Sequence, residues 1–169
     1  MNKLTLKLTR AGIIASLYCV LSLLTLPVSG GAIQFRVSEG LTLLPLLFAE
    51  SIPALFVGCL IFNFLSGLAI YDVILGSLIT LVSAVLTFFV GKIIKQQSIK
   101  IIIGGVFPVL FNAFGLPIIW LFLGDGLQYA YQIQVVFLLV SQAVSIYLFG
   151  SLICLYLVKL QSKGVKYFL

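Results

Sequence analysis

Apolar residues run through this chain in long stretches broken by short polar interruptions, without the apolar–polar alternation of a half-buried strand. Stretches of that length with few charges are helical and of a size to enter a membrane. Six helices are predicted. The first spans about Ala11 to Pro27. The second, about Glu39 to Ala49, is short and carries Pro45, so it is kinked or does not span fully. The third opens at Pro53, a residue suited to a first helical turn, and ends near Ile70. The fourth runs from about Val73 to Gly91. The fifth runs from about Ile101 to Leu123 and is interrupted at Pro108 and Pro117. The sixth, about Tyr131 to Val158, is long enough to tilt or to project past the bilayer. Apart from "VSGGAIQFRVS" and "KIIKQQSIK" the connections are short, and no linker or internal repeat divides the chain. The expected fold is all-α: a polytopic membrane protein with six transmembrane helices, residues 1–169 forming one integral membrane domain.

Composition turns this pattern into a statement about solvent. The chain is 62% hydrophobic and 8% charged, against about 25% charged in soluble domains. A soluble fold of 169 residues has too little interior for that apolar surface, so the lipid bilayer is the expected surrounding.

Charge then orients the helices. With the N-terminus in the cytoplasm, the inner ends hold Lys3, Lys7 and Arg10, then Lys92, Lys95 and Lys100, then Lys159, Lys163 and Lys166; only Arg36 falls outside. This is the positive-inside arrangement. It supports six spans with both termini cytoplasmic, because five or seven would put the last cluster on the wrong side. The basic start, apolar run and "SGGA" also resemble a cleavable leader, although the run is long for one. In a soluble protein a net charge of +6 would suggest a nucleic-acid partner. Here it reads as orientation, and no nucleic acid is expected.

Several chemistries are excluded. The chain has no histidine, which removes His-based catalysis, the usual catalytic zinc sites and haem ligation by His. Cys19, Cys59 and Cys154 lie far apart within apolar runs and read as small buried hydrophobes. There is no GxxxxGK[ST], no HExxH and no carboxylate pair within a span. We therefore expect no enzyme activity, no metal and no cofactor; uphill transport would draw its energy from a partner.

The acids point elsewhere. Of four, Glu39, Asp72 and Asp125 fall at the outer helix ends and only Glu50 at the inner side, although acids obey no strong orientation rule. Ser38 can cap the second helix, with Glu39 in its first turn favouring the helix dipole. Arg36, near Gln34, can pair with Glu39 at the surface; alternatively these residues anchor a ligand. Asp72 is open to the same two readings. Tyr71 beside it is an interfacial aromatic or a stacking surface, and Asp125 looks like turn chemistry between glycines. Asn63 and Asn112 sit inside spans, where they serve helix–helix hydrogen bonding or line a cavity. Gln128, Gln132, Gln134 and Gln142 add amides near the outer part of the last helix, and Trp120 an aromatic on the fifth. Carboxylates, amides and aromatics converging on one face suit a small, planar, polar ligand. On the first helix, Ala11-x-x-x-Ala15, with Gly12 and Ser16 alongside, permits close helix approach, either within the protein or to another subunit.

The runs "IQFRVSEGLTLLP", "IPALFVGCLIFN", "YDVILGSLITL" and "GVFPVLFNAF", in that order, resemble the QueT-type family of queuosine-precursor transporters. These are membrane-embedded substrate-binding (S) components of energy-coupling factor (ECF) transporters, and the resemblance covers nearly the whole chain. Two positions depart from the family pattern, both small for small: Gly40, where alanine is expected, and Ala54, where glycine is expected. The resemblance implies a six-helix bundle binding a 7-deazaguanine base, such as queuine or a precursor, on its outer side. It also implies assembly with a transmembrane coupling protein and two ATPase subunits, with Ala11 and Ala15 matching the family's partner-docking motif. The site residues it brings forward are Gln34, Arg36, Glu39, Asn63, Tyr71, Asp72, Asn112, Trp120 and Gln128. Glu39 is the first choice for the paired N–H donors of a guanine-like edge, Arg36 holds Glu39 ionised and oriented, Asp72 meets an aminomethyl cation on the base, Asn112 and Asn63 complete the hydrogen bonding, and Trp120 or Tyr71 stacks on the ring. An S component for another vitamin-like molecule, and a membrane scaffold without a small ligand, are the alternatives.

Overall fold

The computed structural model describes residues 2–29, 34–123, 127 and 129–162. They form six helical segments that alternate in direction: α1 (Lys3–Ser29), a 3-10 helix (Val37–Leu46), α2 (Ser51–Leu65), α3 (Asp72–Ile93), α4 (Gln97–Leu123) and α5 (Tyr131–Ser162). α3 opens with a π-helical turn, Asp72–Gly76, and α5 contains a π-helical stretch, Ser145–Gly150. Among the described residues, four helices are long and apolar enough to cross a membrane: α1, α3, α4 and α5. The 3-10 helix and α2 are shorter. Ten residues at ~2.0 Å each reach ~20 Å, and fifteen at ~1.5 Å reach ~22 Å, against a hydrocarbon core of ~30 Å.

The second segment is therefore not the α-helix expected from its apolar pattern. Winding as a 3-10 helix lengthens it per residue, and its poorer hydrogen bonding is tolerated because Ser38 to Leu46 are all buried in protein. It is the centre of the bundle. Ser22 of α1 donates to Ser38 Oγ at 2.6 Å. A Cβ on Gly91 of α3 would lie 2.8 Å from the Leu46 backbone, and one on Gly104 of α4 would lie 2.8 Å from the Leu46 side chain. A Cβ on Gly150 of α5 would lie 2.6 Å from Gly40 O, and one on Gly40 would lie 2.9 Å from Gly150 N. Backbone meets backbone at that crossing, which small residues alone permit. Alanine at position 40 would require the helices to shift, so the departure there is not a free exchange.

Other boundaries differ for local reasons. α1 begins at Lys3, two turns before the expected Ala11, because its basic first turns are helical as well. α2 stops at Leu65, short of Ile70. Gly67 adopts φ +70°, and Gly67 N–H donates to Phe64 O and Leu68 N–H to Asn63 O, the paired bonds of a Schellman C-cap. α4 is continuous through Pro108 and Pro117, where interruptions were expected. Proline removes the N–H that would bond the carbonyl four residues back. For Pro108 that carbonyl is Gly104 O, and Thr87 Oγ of α3 donates to it at 3.0 Å. A neighbouring helix thus repairs the break.

The alternation sorts charge. Lys3, Lys7 and Arg10 on α1, Lys92 at the end of α3, Lys95 and Lys100 around the start of α4, and Lys159 near the end of α5 share one end of the bundle. Lys163 and Lys166 lie outside the described residues. At that end Arg10 donates to Glu50 Oε1 at 2.8 Å, with both side chains about nine-tenths buried. Arg36, Asp72 and Trp120 lie at the opposite end.

Candidate binding cavity

A cavity of about 80 Å³ opens at the end opposite the lysines, well above the ~10–15 Å³ that admits one water. Seven sequence-derived candidates line it: Gln34, Arg36, Glu39, Asn63, Asp72, Asn112 and Trp120. Gln142, Cys59 and Thr80 complete its polar wall, and Leu68, Gly76 and Leu116 its apolar part. Tyr71 precedes the π turn and is not one of these lining residues. Gln128 and Asp125 lie outside the described residues.

Glu39 is the hub. It stands in the first turn of the 3-10 helix and is only 3% exposed. A carboxylate so buried is costly unless it is hydrogen-bonded. Tyr18 of α1 donates its phenol to Oε1 at 2.7 Å, and Asn112 of α4 donates Nδ2 to Oε2 at 3.2 Å. The same Asn112 nitrogen donates to Gln142 Oε1 of α5 at 3.1 Å, and Gln142 Nε2 reaches the Gln34 backbone carbonyl at 3.5 Å. The chain of bonds ties α1, the 3-10 helix, α4 and α5 together around one carboxylate. Each carboxylate oxygen still has accepting capacity. Prolines flank Asn112 in sequence, but its side chain, rather than freed backbone, is what enters the network.

The capping readings do not hold in this geometry. Ser38 makes no cap; its hydroxyl accepts from Ser22, and the N-cap position is Arg36, without a side-chain bond. Asp72 likewise makes no cap. Its Oδ1 accepts from Trp120 Nε1 at 3.0 Å, joining α3 to the end of α4, while its carbonyl accepts from Asn63 Nδ2 at 3.3 Å. Nor do Arg36 and Glu39 form a surface pair. Among the described residues the ion pair is Arg10–Glu50, whereas Arg36 lays its guanidinium over the Phe62 ring, 4.9 Å from the centroid, a cation–π arrangement.

Sequence reasoning missed Tyr18, Cys59 and Thr80. Tyr18 is fully buried within an apolar run, and its one signal was a hydroxyl amid hydrocarbon, which needs a partner. Cys59 Sγ accepts from Asn63 Nδ2 and Thr80 Oγ, both at 3.5 Å. It is therefore part of the cavity wall as well as a small buried residue.

Ala11 and Ala15 are half-buried against the core cluster of Ile14, Tyr18 and Leu55. A Cβ on Gly58 would lie 2.8 Å from Ala15 O, so α1 and α2 touch there. The open groove on α1 lies on the adjoining face, at Thr9, Gly12, Ile13, Ser16, Leu17 and Val20.

An apolar helical bundle whose long helices suit a bilayer, with a polar-lined cavity at the end away from its lysines, defines the class: a helical membrane protein. The family follows from comparison with known proteins. The model described as "QueT transporter" matches residues 8–159, so the chain belongs to the QueT transporter family and its coarse role is membrane transport. No significant match was found among curated proteins or among solved structures.

Proposed function

We propose that this chain is the substrate-binding S component of an ECF-type importer and captures a queuosine precursor, a 7-deazaguanine base, from outside the cell. Residues 1–169 act as one membrane domain, all six helical segments pass through or into the bilayer, and both termini face the cytoplasm. The observation that carries this reading is the buried Glu39, held by Tyr18 and Asn112 in a cavity at the lysine-poor end. The positive-inside rule assigns that end to the exterior. A guanine edge presents adjacent N–H donors, and the unused lone pairs of Glu39 accept them. Energy comes from two ATPase subunits through a transmembrane coupling protein, which docks on α1 along the Gly12–Ser16 face with Ala11 and Ala15 at its margin.

The test is calorimetric titration of 7-deazaguanine bases into the purified chain. Glu39→Gln and Asn112→Ala are each expected to weaken binding by about tenfold or more, the scale of one hydrogen bond to a charged group. Affinities within about threefold of wild type for both, under ~0.7 kcal/mol, would show that the ligand sits elsewhere.

A further inference from the structure

Three lining side chains keep buried polar atoms without a hydrogen-bond partner: Gln34 Oε1, Arg36 Nε and Asn63 Oδ1. Such atoms are uncommon in native interiors and ask for an explanation. The Asn63 amide is oriented by the Asp72 carbonyl, which takes its nitrogen at 3.3 Å and leaves the oxygen free. The Arg36 guanidinium, stacked on Phe62, makes no hydrogen bond among the described residues. The ring contact leaves the fork of N–H donors unspent. The cavity wall thus carries one unsatisfied donor group and two unsatisfied acceptors, beside a carboxylate that already has partners.

Resting on the reading above, we propose that Arg36 is a specificity-determining residue: it donates to an acceptor on the ligand, a carbonyl oxygen, while Gln34 and Asn63 accept N–H donors from the same ring system. It forms no ion pair with Glu39, and its role then extends beyond that carboxylate to contact with the ligand. A ring with N–H donors and no accepting oxygen would leave Arg36 unpaired, and a site with unpaired polar groups rejects such an analogue strongly.

The test pairs a ligand change with a side-chain change, in the full chain in lipid nanodiscs. 7-Deaza-6-thioguanine keeps every N–H of 7-deazaguanine and replaces the carbonyl oxygen by a weakly accepting sulfur. Wild type is expected to prefer the oxygen compound by about 10-fold or more. Arg36→Lys keeps the charge and loses the planar fork, so its preference is expected to fall to within about threefold. 7-Deazahypoxanthine, which lacks the exocyclic amine, is expected to lose more affinity, relative to 7-deazaguanine, for wild type than for the Gln34→Ala, Asn63→Ala double variant, which keeps only the Glu39 contact to that edge. The panel includes cytosine with 2-thiocytosine and hypoxanthine with its 6-thio analogue. If no deazaguanine binds but one of these pairs shows the Arg36-dependent preference, the substrate reading falls and the role of Arg36 stands. An oxygen preference that survives in Arg36→Lys overturns that role, as does an equal loss for both members of a pair. Binding of none of these probes to wild type overturns both proposals.

Discussion

Glu39 is the one charged residue that is fully buried among the described residues, and a carboxylate 3% exposed must be satisfied by whatever surrounds it. Its partners come from α1 and α4, so removing it disturbs three helices at once. Trp120, the single tryptophan, reports on the same cavity from the other side through its bond to Asp72. Adding 7-deazaguanine is expected to change Trp120 emission, and Trp120→Phe to abolish that signal. Asp72→Ala is expected to shift the emission of the unliganded protein. A spectrum indifferent to both ligand and Asp72→Ala would contradict this placement of the indole. Of the polar residues here, Glu39, Asp72 and Asn112 were legible in sequence because charge and amides stand out against hydrocarbon. Their partnerships were not: Tyr18 lies 21 residues from Glu39 and Asn112 lies 73 away.

Among the elements, the 3-10 helix depends on the closeness of its neighbours. At its crossing with α5 the glycines are in backbone contact, and a methyl on Gly150 would meet Gly40 O at 2.6 Å. Gly150→Ala is expected to destabilise the fold by about 1–3 kcal/mol, the usual cost of overpacking, read as a fall in thermal midpoint in detergent. Thr87→Val is expected to cost far less, about 0.6 kcal/mol, the average interhelical hydrogen bond in a membrane. It loses only the bond to Gly104 O. A Thr87→Val effect equal to that of Gly150→Ala would rule out backbone contact as the dominant constraint. The same elements show why boundaries were misread. Leu68, Ala69 and Ile70 extend the apolar run past Gly67, and hydropathy does not register that Gly67 turns left-handed and ends α2. The prolines of α4 suggested breaks because proline's cost is local, whereas the repair at Pro108, by Thr87, comes from another helix.

Across the whole molecule, two polar contacts mark opposite ends of the bundle: the Glu39 network at the cavity and Arg10–Glu50 among the lysines. The latter fastens α1 to the connection leading into α2, and Arg10 also lies over the Phe48 ring at 5.3 Å. Breaking a pair this buried by Arg10→Met alone is expected to cost about 3 kcal/mol, while Arg10→Met with Glu50→Met together recovers most of the loss. A double-mutant cycle in thermal unfolding measures this, and strict additivity would mean that the two residues do not act as a pair. The sequence by itself determined that the chain is helical and built for a bilayer, how its charges divide between the two ends, and which polar residues are available for a site. Those are properties of composition and of local periodicity. Only the tertiary structure decided that the second segment winds as a 3-10 helix, that Arg36 lies on Phe62 instead of pairing with Glu39, and that Ala11 and Ala15 turn toward the core. The physical reason is that each depends on how a helix is rotated and how closely it approaches its neighbours, and glycine contacts and buried hydrogen bonds between distant residues fix both.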